Sequence, residues 1–401
     1  MIFGLYGIYG LYNFGCEAII RGTYKFIRDC KPDAEIIYFS YNYDYDSKAL
    51  ADLDIKIIEI EKTRTLINRI LNKALSLIQC EKRILLFTWQ ELIDQADVIV
   101  SIGGDMYTIP EARRNHVRYP YYNSLIDFCD RAISHGKQVI VYGASMGPWG
   151  TYRQAIDYYV THISKYRYII CREYATLDYL KSVGIEKAIF QPDPAFLVQM
   201  RNNFDSSSEK KYIGINLSPL SLRELYGTCS DNLIERLSDM VYKIAERFDS
   251  GILFIPHVLS HDLHDNDEFL LRKIRSMLPE CYQQKICFAD TGGGYLGIKE
   301  QLRECKFVIS ARMHCAVNAV TEGVPAIFLS YSQKSQGMAL YVYGTTKWVL
   351  SLKQIDDSLI PLMEDMDVSW QWISRVLIKR MADIREEYYR LQREQKLFKQ
   401  I

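Results

Sequence analysis

Short, continuous apolar runs alternate with helix-length stretches along the whole chain. Residues 1–6 predict a strand, and residues 18–29 predict a helix. Further strands are predicted at 36–39, 55–60, 98–102, 139–142 and 168–171. Nearly every residue in these runs is apolar, with no polar face in alternation. Strands of that kind belong to parallel sheets covered on both sides. Residues 202–211 break the pattern with Asn202-Asn203-Phe204-Asp205-Ser206-Ser207-Ser208-Glu209-Lys210-Lys211, which reads as a linker. Alternation then restarts, with strands predicted at 212–216, 252–255, 286–288, 307–309 and 326–329. The expected fold class is therefore α/β, with two Rossmann-like βα domains facing a cleft. The first spans 1–201, the second follows the linker at 212–360, and a helical segment occupies 361–401. A length of 401 residues suits two cores better than one.

Two stretches read as basic amphipathic helices. One is 62–83, where Leu66, Ile67, Ile70, Leu71 and Leu75 are interleaved with Arg64, Arg69, Lys73 and Lys82. The other is 369–401, with eight basic side chains against four acidic ones, a net of +4. Such a helix lies on an anionic membrane surface or packs with a solvated face, so peripheral membrane contact stays open alongside plain packing.

Composition narrows the class. Hydrophobic residues make up 48% and charged residues 24%, which is globular. Forty-nine basic and 49 acidic side chains give a formal net charge of zero, so no whole-molecule pull on nucleic acid is expected. Ten scattered cysteines without a C-x-x-C pair argue against a disulfide framework or a zinc site and for a reducing compartment. The first residues form a strand-like run rather than a signal peptide, and no apolar stretch reaches 18 residues. A cytoplasmic location is expected, with peripheral contact at the inner membrane face left open.

Candidate chemistry sits where apolar runs end. The run Phe307-Val308-Ile309 stops at Ser310-Ala311-Arg312-Met313-His314, just before a helix-like stretch. Ligands of open α/β sheets bind at carboxyl strand ends, and helix N-termini favour anions. A guanidinium and an imidazole there suit an anionic substrate. Lys334 follows the next strand end as a second cation. In the first half, Gly7-Ile8-Tyr9-Gly10-Leu11-Tyr12-Asn13-Phe14-Gly15-Cys16-Glu17 follows strand one. Its spacing is wrong for a dinucleotide loop, so it reads as a loop admitting substrate to backbone, with Asn13 and Glu17 facing the cleft. Asp105 ends Gly103-Gly104-Asp105 and suits a sugar hydroxyl or a general base. Arg172 directly follows another buried-type strand. Pro256-His257 precedes Asp262, Asp265 and Asp267, but the spacing fits no tight metal motif, and no metal is expected.

Taken in order, these segments resemble the polysaccharide pyruvyltransferase family. The matching motifs are Gly10 to Ala18, Gly103-Gly104-Asp105, Ala144-Ser145-Met146-Gly147-Pro148, Arg172, Asp193-Pro194-Ala195-Phe196, Pro256-His257, Ser310 to His314 and Gly323-Val324-Pro325. Two positions depart from the family's pattern. Met313 stands where Leu is usual, and Cys16 where an acidic residue is usual. The resemblance implies a GT-B-like fold whose C-terminal helix crosses back to the first domain. It implies phosphoenolpyruvate as co-substrate, no other cofactor, and a sugar acceptor. The product is a cyclic pyruvate ketal, made for a cell-surface or capsular polysaccharide, with phosphate released. By the match, Arg172, Arg312, Met313 (through backbone) and His314 hold phosphoenolpyruvate, and Lys334 assists. His314, Asp105 and Glu17 become the candidate acid and bases, with Asn13, Glu17 and Asp105 on the acceptor side. A lipid-linked oligosaccharide acceptor fits the basic helices.

Two other readings remain at this stage. A GT-B glycosyltransferase using a nucleotide sugar shares the fold. A sugar-binding or assembly protein shares the Tyr-rich composition of 30 tyrosines.

Overall fold

A computed structural model describes residues 1–61, 66–78, 80, 84, 90–109, 114, 123–198, 210–330 and 333–394. Most of the expected linker lies outside the described residues. The chain divides into two compact units. The first comprises 1–11, 19–194 and 391–401; the second comprises 12–18 and 195–390.

The first unit holds a seven-stranded sheet. Its strands are β1 (Ile2–Tyr6), β2 (Glu35–Ser40), β3 (Lys56–Glu59), β4 (Val98–Ile102), β5 (Gln138–Ala144), β6 (Tyr168–Cys171) and β7 (Ala188–Phe190). They lie in the order β3-β2-β1-β4-β5-β6-β7, and every pair is parallel. The second unit holds β8 (Tyr212–Asn216), β9 (Gly251–Phe254), β10 (Ile286–Phe288), β11 (Cys305–Ser310), β12 (Ala326–Ser330) and β13 (Val349–Ser351). These are again parallel throughout, in the order β10-β9-β8-β11-β12-β13. All five residues of β4 and all five of β12 are buried, as continuous apolar runs require.

Each sheet has one switch point, where strand order reverses: β1 beside β4, and β8 beside β11. Crevices at such points are the standard ligand sites of open α/β sheets. In the first unit the backbone there demands glycine. Gly7 and Gly103 adopt φ of +109° and +129°, and a Cβ on Gly7 would fall 2.6 Å from the Ile102 carbonyl oxygen.

Two features differ from the sequence expectation. β7 and β13, three residues each, are strands that the apolar runs did not predict. The C-terminal helix starts at Ile355, not near 369, and runs to Glu394 with Pro361 inside it. Burial outweighs the lost backbone hydrogen bond at Pro361: Leu359, Met363, Met366, Ile373, Leu377, Met381 and Ile384 all join the second unit's core. From Leu391 on, the helix belongs to the first unit, where Gln392 Nε2 hydrogen-bonds Cys30 Sγ. Among the described residues no helix is long and apolar enough to cross a membrane.

Candidate functional site

Polar side chains collect at the switch point of the second sheet. β8 ends in Asn216 and β11 in Ser310, both buried. Asn216 Oδ1 accepts from the Arg312 backbone N–H at 2.9 Å, and its Nδ2 donates to the Ile255 carbonyl at 2.9 Å and to Asp267 Oδ2 at 3.1 Å. One amide thus ties the ends of three strands. Ser310 Oγ donates to the Arg312 carbonyl at 2.7 Å and fixes the turn into the helix Met313–Thr321.

Arg312 caps that helix and is clamped from one side. Its Nε and Nη2 donate to Asp267 Oδ1 at 3.1 and 2.9 Å, and Nη2 also donates to Asp265 Oδ1 at 2.6 Å. Among the described residues Nη1 has no hydrogen-bond partner. The two carboxylates differ in kind. Asp267 is fully buried, and its Oδ2 accepts from the His257 and Val258 backbone N–H groups as well as from Asn216. Asp265 is 31% exposed, in the short turn Leu263–Asp265. Burial works against the Arg312 charge, but Asp267 and Asp265 outweigh it and raise its pKa further. Burial also pushes the Asp267 carboxyl above the usual carboxylate range, with the Arg312 charge opposing. By spacing alone Asp265 and Asp267 suggest no more than a loose metal-ligand set; the structure turns both onto Arg312.

His257 joins the site as a functional candidate to which the sequence assigns no donor or acceptor role. It is 1% exposed. Tyr295 Oη donates to Asn318 Oδ1 at 3.2 Å, and Asn318 Nδ2 meets His257 Nε2 at 2.9 Å. With the amide set this way, Nε2 accepts, so the ring proton sits on Nδ1. That Nδ1 is buried and, among the described residues, has no hydrogen-bond partner. Burial first, then the charges of His314 and Arg312, hold the ring's pKa well below its ordinary value, so His257 is a neutral N–H donor. Its signals in the sequence are its place at a strand end and the Pro256-His257 motif of the family resemblance.

The start of the first long helix, Phe14–Cys30, falls in this unit. The Phe14 N–H donates to the His257 carbonyl at 3.0 Å, and the Phe14 ring meets the His257 ring edge-on. Asn13 caps the helix, with Oδ1 accepting from the Gly15 N–H at 3.0 Å. A Cβ on Gly15 would fall 2.8 Å from His314 Cβ, so this glycine makes room for His314 rather than for a substrate. Glu17 is 2% exposed in the first helical turn. Asn13 and Glu17, expected in the first domain, therefore group with His257 and His314. Met313 is partly buried against the core, and His314 is half-buried. Lys334 lies in the helix Gln333–Tyr343, but its side chain is outside the described residues.

Arg172 and Asp105 occupy the first unit. The Arg172 side chain is 1% exposed, not an open cation. Nη1 donates to the fully buried Asp193 at 3.0 Å and Nε to Ser145 Oγ at 3.2 Å, while Glu173 and Asp105 each lie at 3.5 Å. Burial opposes the charge, and Asp193, Glu173 and Asp105 together raise its pKa. Asp105 is half exposed. The sequence flagged Asp193 as a motif residue without seeing that it anchors Arg172.

Solved structures share this architecture. The UDP-GlcNAc 2-epimerase of Methanocaldococcus jannaschii matches with a TM-score of 0.54 and 13% identity, over 91% of this chain and 92% of that one. Anabaena HepE in complex with UDP-glucose matches with a TM-score of 0.56 and 10% identity, over 96% and 95%. The Neisseria meningitidis UDP-GlcNAc 2-epimerase matches with 0.53 and 12%, over 97% and 99%. At these identities the likeness establishes the fold, a two-domain Rossmann-like arrangement of the GT-B kind. Residues 13–333 match the polysaccharide pyruvyl transferase family, a stretch that contains the motifs described above except Gly10-Leu11-Tyr12 at the start of the first. The chain belongs to the polysaccharide pyruvyl transferase family and is a transferase.

Proposed function

We propose that this transferase moves the pyruvyl group of phosphoenolpyruvate onto two hydroxyls of one sugar residue, forming a cyclic ketal and releasing phosphate. The observation that carries the site assignment is the strand-end cluster of the second unit. A guanidinium with a free Nη1 edge lies at a helix N-terminus, beside His314 and the neutral N–H of His257. Phosphoenolpyruvate carries a carboxylate and a phosphate, and an Arg fork, helix N–H groups and an imidazole N–H are the donors such an anion needs. On binding, the anion takes the Nη2 position now held by the partly exposed Asp265, while the buried Asp267 keeps the guanidinium in place.

The chemistry balances without a redox partner. A proton adds to the enol carbon C3, one sugar hydroxyl attacks C2, and phosphate leaves with its bridging oxygen. The second hydroxyl then closes the ring on C2. Of the two hydroxyl protons displaced, one ends on the new methyl group and one on phosphate. His314 is the proposed proton donor or phosphate partner, and Glu17 a proposed base. Positioned acid–base groups typically contribute about 10²–10⁴-fold. Lys334 is proposed as a second phosphate cation. In the first unit, Asp105 is proposed to orient an acceptor hydroxyl, with Arg172 as its positioning residue. The proposed acceptor is a lipid-linked oligosaccharide of a cell-surface polysaccharide, handled on the cytoplasmic side of the membrane. No metal is required in this scheme.

A nucleotide-sugar reaction is the second reading, because HepE with the same fold is solved with UDP-glucose. A thermal-shift panel separates the two. Phosphoenolpyruvate should raise the melting temperature of the wild type but not of Arg312→Ala. Stabilisation by a uridine sugar and none by phosphoenolpyruvate would transfer the assignment to a glycosyltransferase.

A further inference from the structure

An amphipathic helix on a water-soluble domain normally lays its apolar stripe on the core and shows its polar side to solvent. The helix Leu66–Leu77 of the first unit does the reverse. Leu66, Ile67, Ile70, Leu71 and Leu77 are 72, 67, 59, 44 and 79% exposed, and Ile78 just beyond is 74% exposed. At about 100° per residue, the helical positions fall on one arc of about 140° that also contains the exposed Ala74. The partly covered positions, Asn68, Asn72 and Leu75, lie away from that arc. Asn72 secures the covered side with a pair of hydrogen bonds: Nδ2 donates to the Ile84 carbonyl, and Oδ1 accepts from the Ile84 N–H, both at 2.7 Å. The polar side is thus the anchored side, and the apolar side faces outward.

Charge says what covers it. From Lys62 to Cys80 the sequence carries Lys62, Arg64, Arg69 and Lys73 and not one Asp or Glu, within a chain of zero net charge. Arg69 and Lys73 are exposed and border the apolar arc. A second copy of the chain would set this cationic border against an equally cationic one. An anionic bilayer accepts both parts, with the leucines and isoleucines entering the acyl boundary and the cations resting among headgroups.

We propose that the helix Leu66–Leu77 docks this protein on an anionic lipid surface. The sequence offers the C-terminal helix as an equal candidate, but the two differ in the structure. Most apolar positions of Ile355–Glu394 are committed to the core. Its exposed Val368, Trp372 and Val376 follow the acidic run Glu364, Asp365 and Asp367. The docking proposal does not rest on the donor chemistry, and its test needs no substrate.

The test is co-sedimentation of the full chain with phosphatidylcholine vesicles, with and without phosphatidylglycerol, at low and high salt. The wild type should bind the anionic vesicles, and salt should weaken the binding. Ile67→Asn with Ile70→Asn should lower partitioning about a hundredfold. Arg69→Gln with Lys73→Gln should lower it roughly 25-fold. Val368→Asn with Trp372→Asn should bind like wild type. Circular dichroism and melting curves check that each variant is folded. Equal wild-type binding to neutral and anionic vesicles, or undiminished binding by both helix variants, would overturn the proposal. A wild-type dimer that binds no vesicles and becomes monomeric in the Ile67/Ile70 variant would assign the face to a second copy instead.

Discussion

Asp265→Asn should tighten donor binding, an unusual outcome for a change at the centre of a site. Asp265 Oδ1 sits 2.6 Å from Arg312 Nη2, the position proposed for an oxygen of the donor anion. The pair is partly solvated, so breaking it costs at most about 1 kcal/mol. The larger effect is repulsion. A carboxylate about 6 Å from a bound dianion opposes it by about 0.7 kcal/mol per unit charge at the dielectric of water, or about 1.4 kcal/mol in all. That corresponds to about a tenfold fall in KM for phosphoenolpyruvate. Asn keeps the shape and can still accept from Nη2 in the empty site, so kcat should change little. The assay is initial-rate phosphate release at saturating acceptor across a range of phosphoenolpyruvate. An unchanged or raised KM in a folded Asp265→Asn protein would refute the placeholder role. Asp267→Asn provides the contrast. It withdraws the charge from a fully buried partner of Arg312, and losing one partner of a buried pair costs about 3–5 kcal/mol. That variant should lose both stability and turnover.

Gly15→Ala places a Cβ against His314 and should cut kcat by about tenfold or more while changing the melting temperature by only a few degrees, read by rate assay and calorimetry. Asp193→Asn strips the buried Arg172 of its closest carboxylate and should destabilise the fold by about 3–5 kcal/mol in denaturant titration. His257 should impose an acid limit on stability. Its native pKa is depressed, so the folded ring stays neutral while the unfolded ring takes a proton as pH falls below its ordinary value of about 6.5. The unfolded state then binds more protons, and this contribution is present above that pH and lost as pH falls, at up to about 1.4 kcal/mol per pH unit. Unfolding free energies of wild type and His257→Asn between neutral and mildly acid pH should differ in slope by that sign; identical slopes would contradict a buried neutral ring.

The parallel sheets were legible because nearly every strand is an unbroken apolar run, and β4 and β12 are buried at every position. The short edge strands β7 and β13 were not legible, although β10, equally short, was. Arg312 and His314 stood out because a cation and an imidazole interrupt an apolar pattern at a strand end. Asn216 ends its own strand in the same way, as the polar stop after Ile215, yet a single buried amide carries no visible charge signal. The engagement of Arg312 by Asp265 and Asp267 was out of reach, since about 45 residues separate the partners and only the fold joins them. Arg172 shows the converse. Its place after a buried strand, and a donor role by the family resemblance, are legible in the sequence, but its enclosure by Asp193 and Glu173 is not. The grouping of Asn13 and Glu17 with the second unit also escaped the linear reading. Phe14 and Ala18 belong to that unit's core, and burying them there outweighs chain proximity to β1.

In the proposed reaction phosphoenolpyruvate is the donor and a sugar diol the acceptor. Carbon and phosphorus NMR of one reaction, with labelled phosphoenolpyruvate and galactose- or mannose-terminated lipid-linked acceptors, tests both halves together. A new quaternary ketal carbon and methyl signal should appear in step with one equivalent of inorganic phosphate, and only when acceptor is present. Phosphoenolpyruvate left intact across the acceptor panel, while a uridine-linked sugar is consumed, would contradict it.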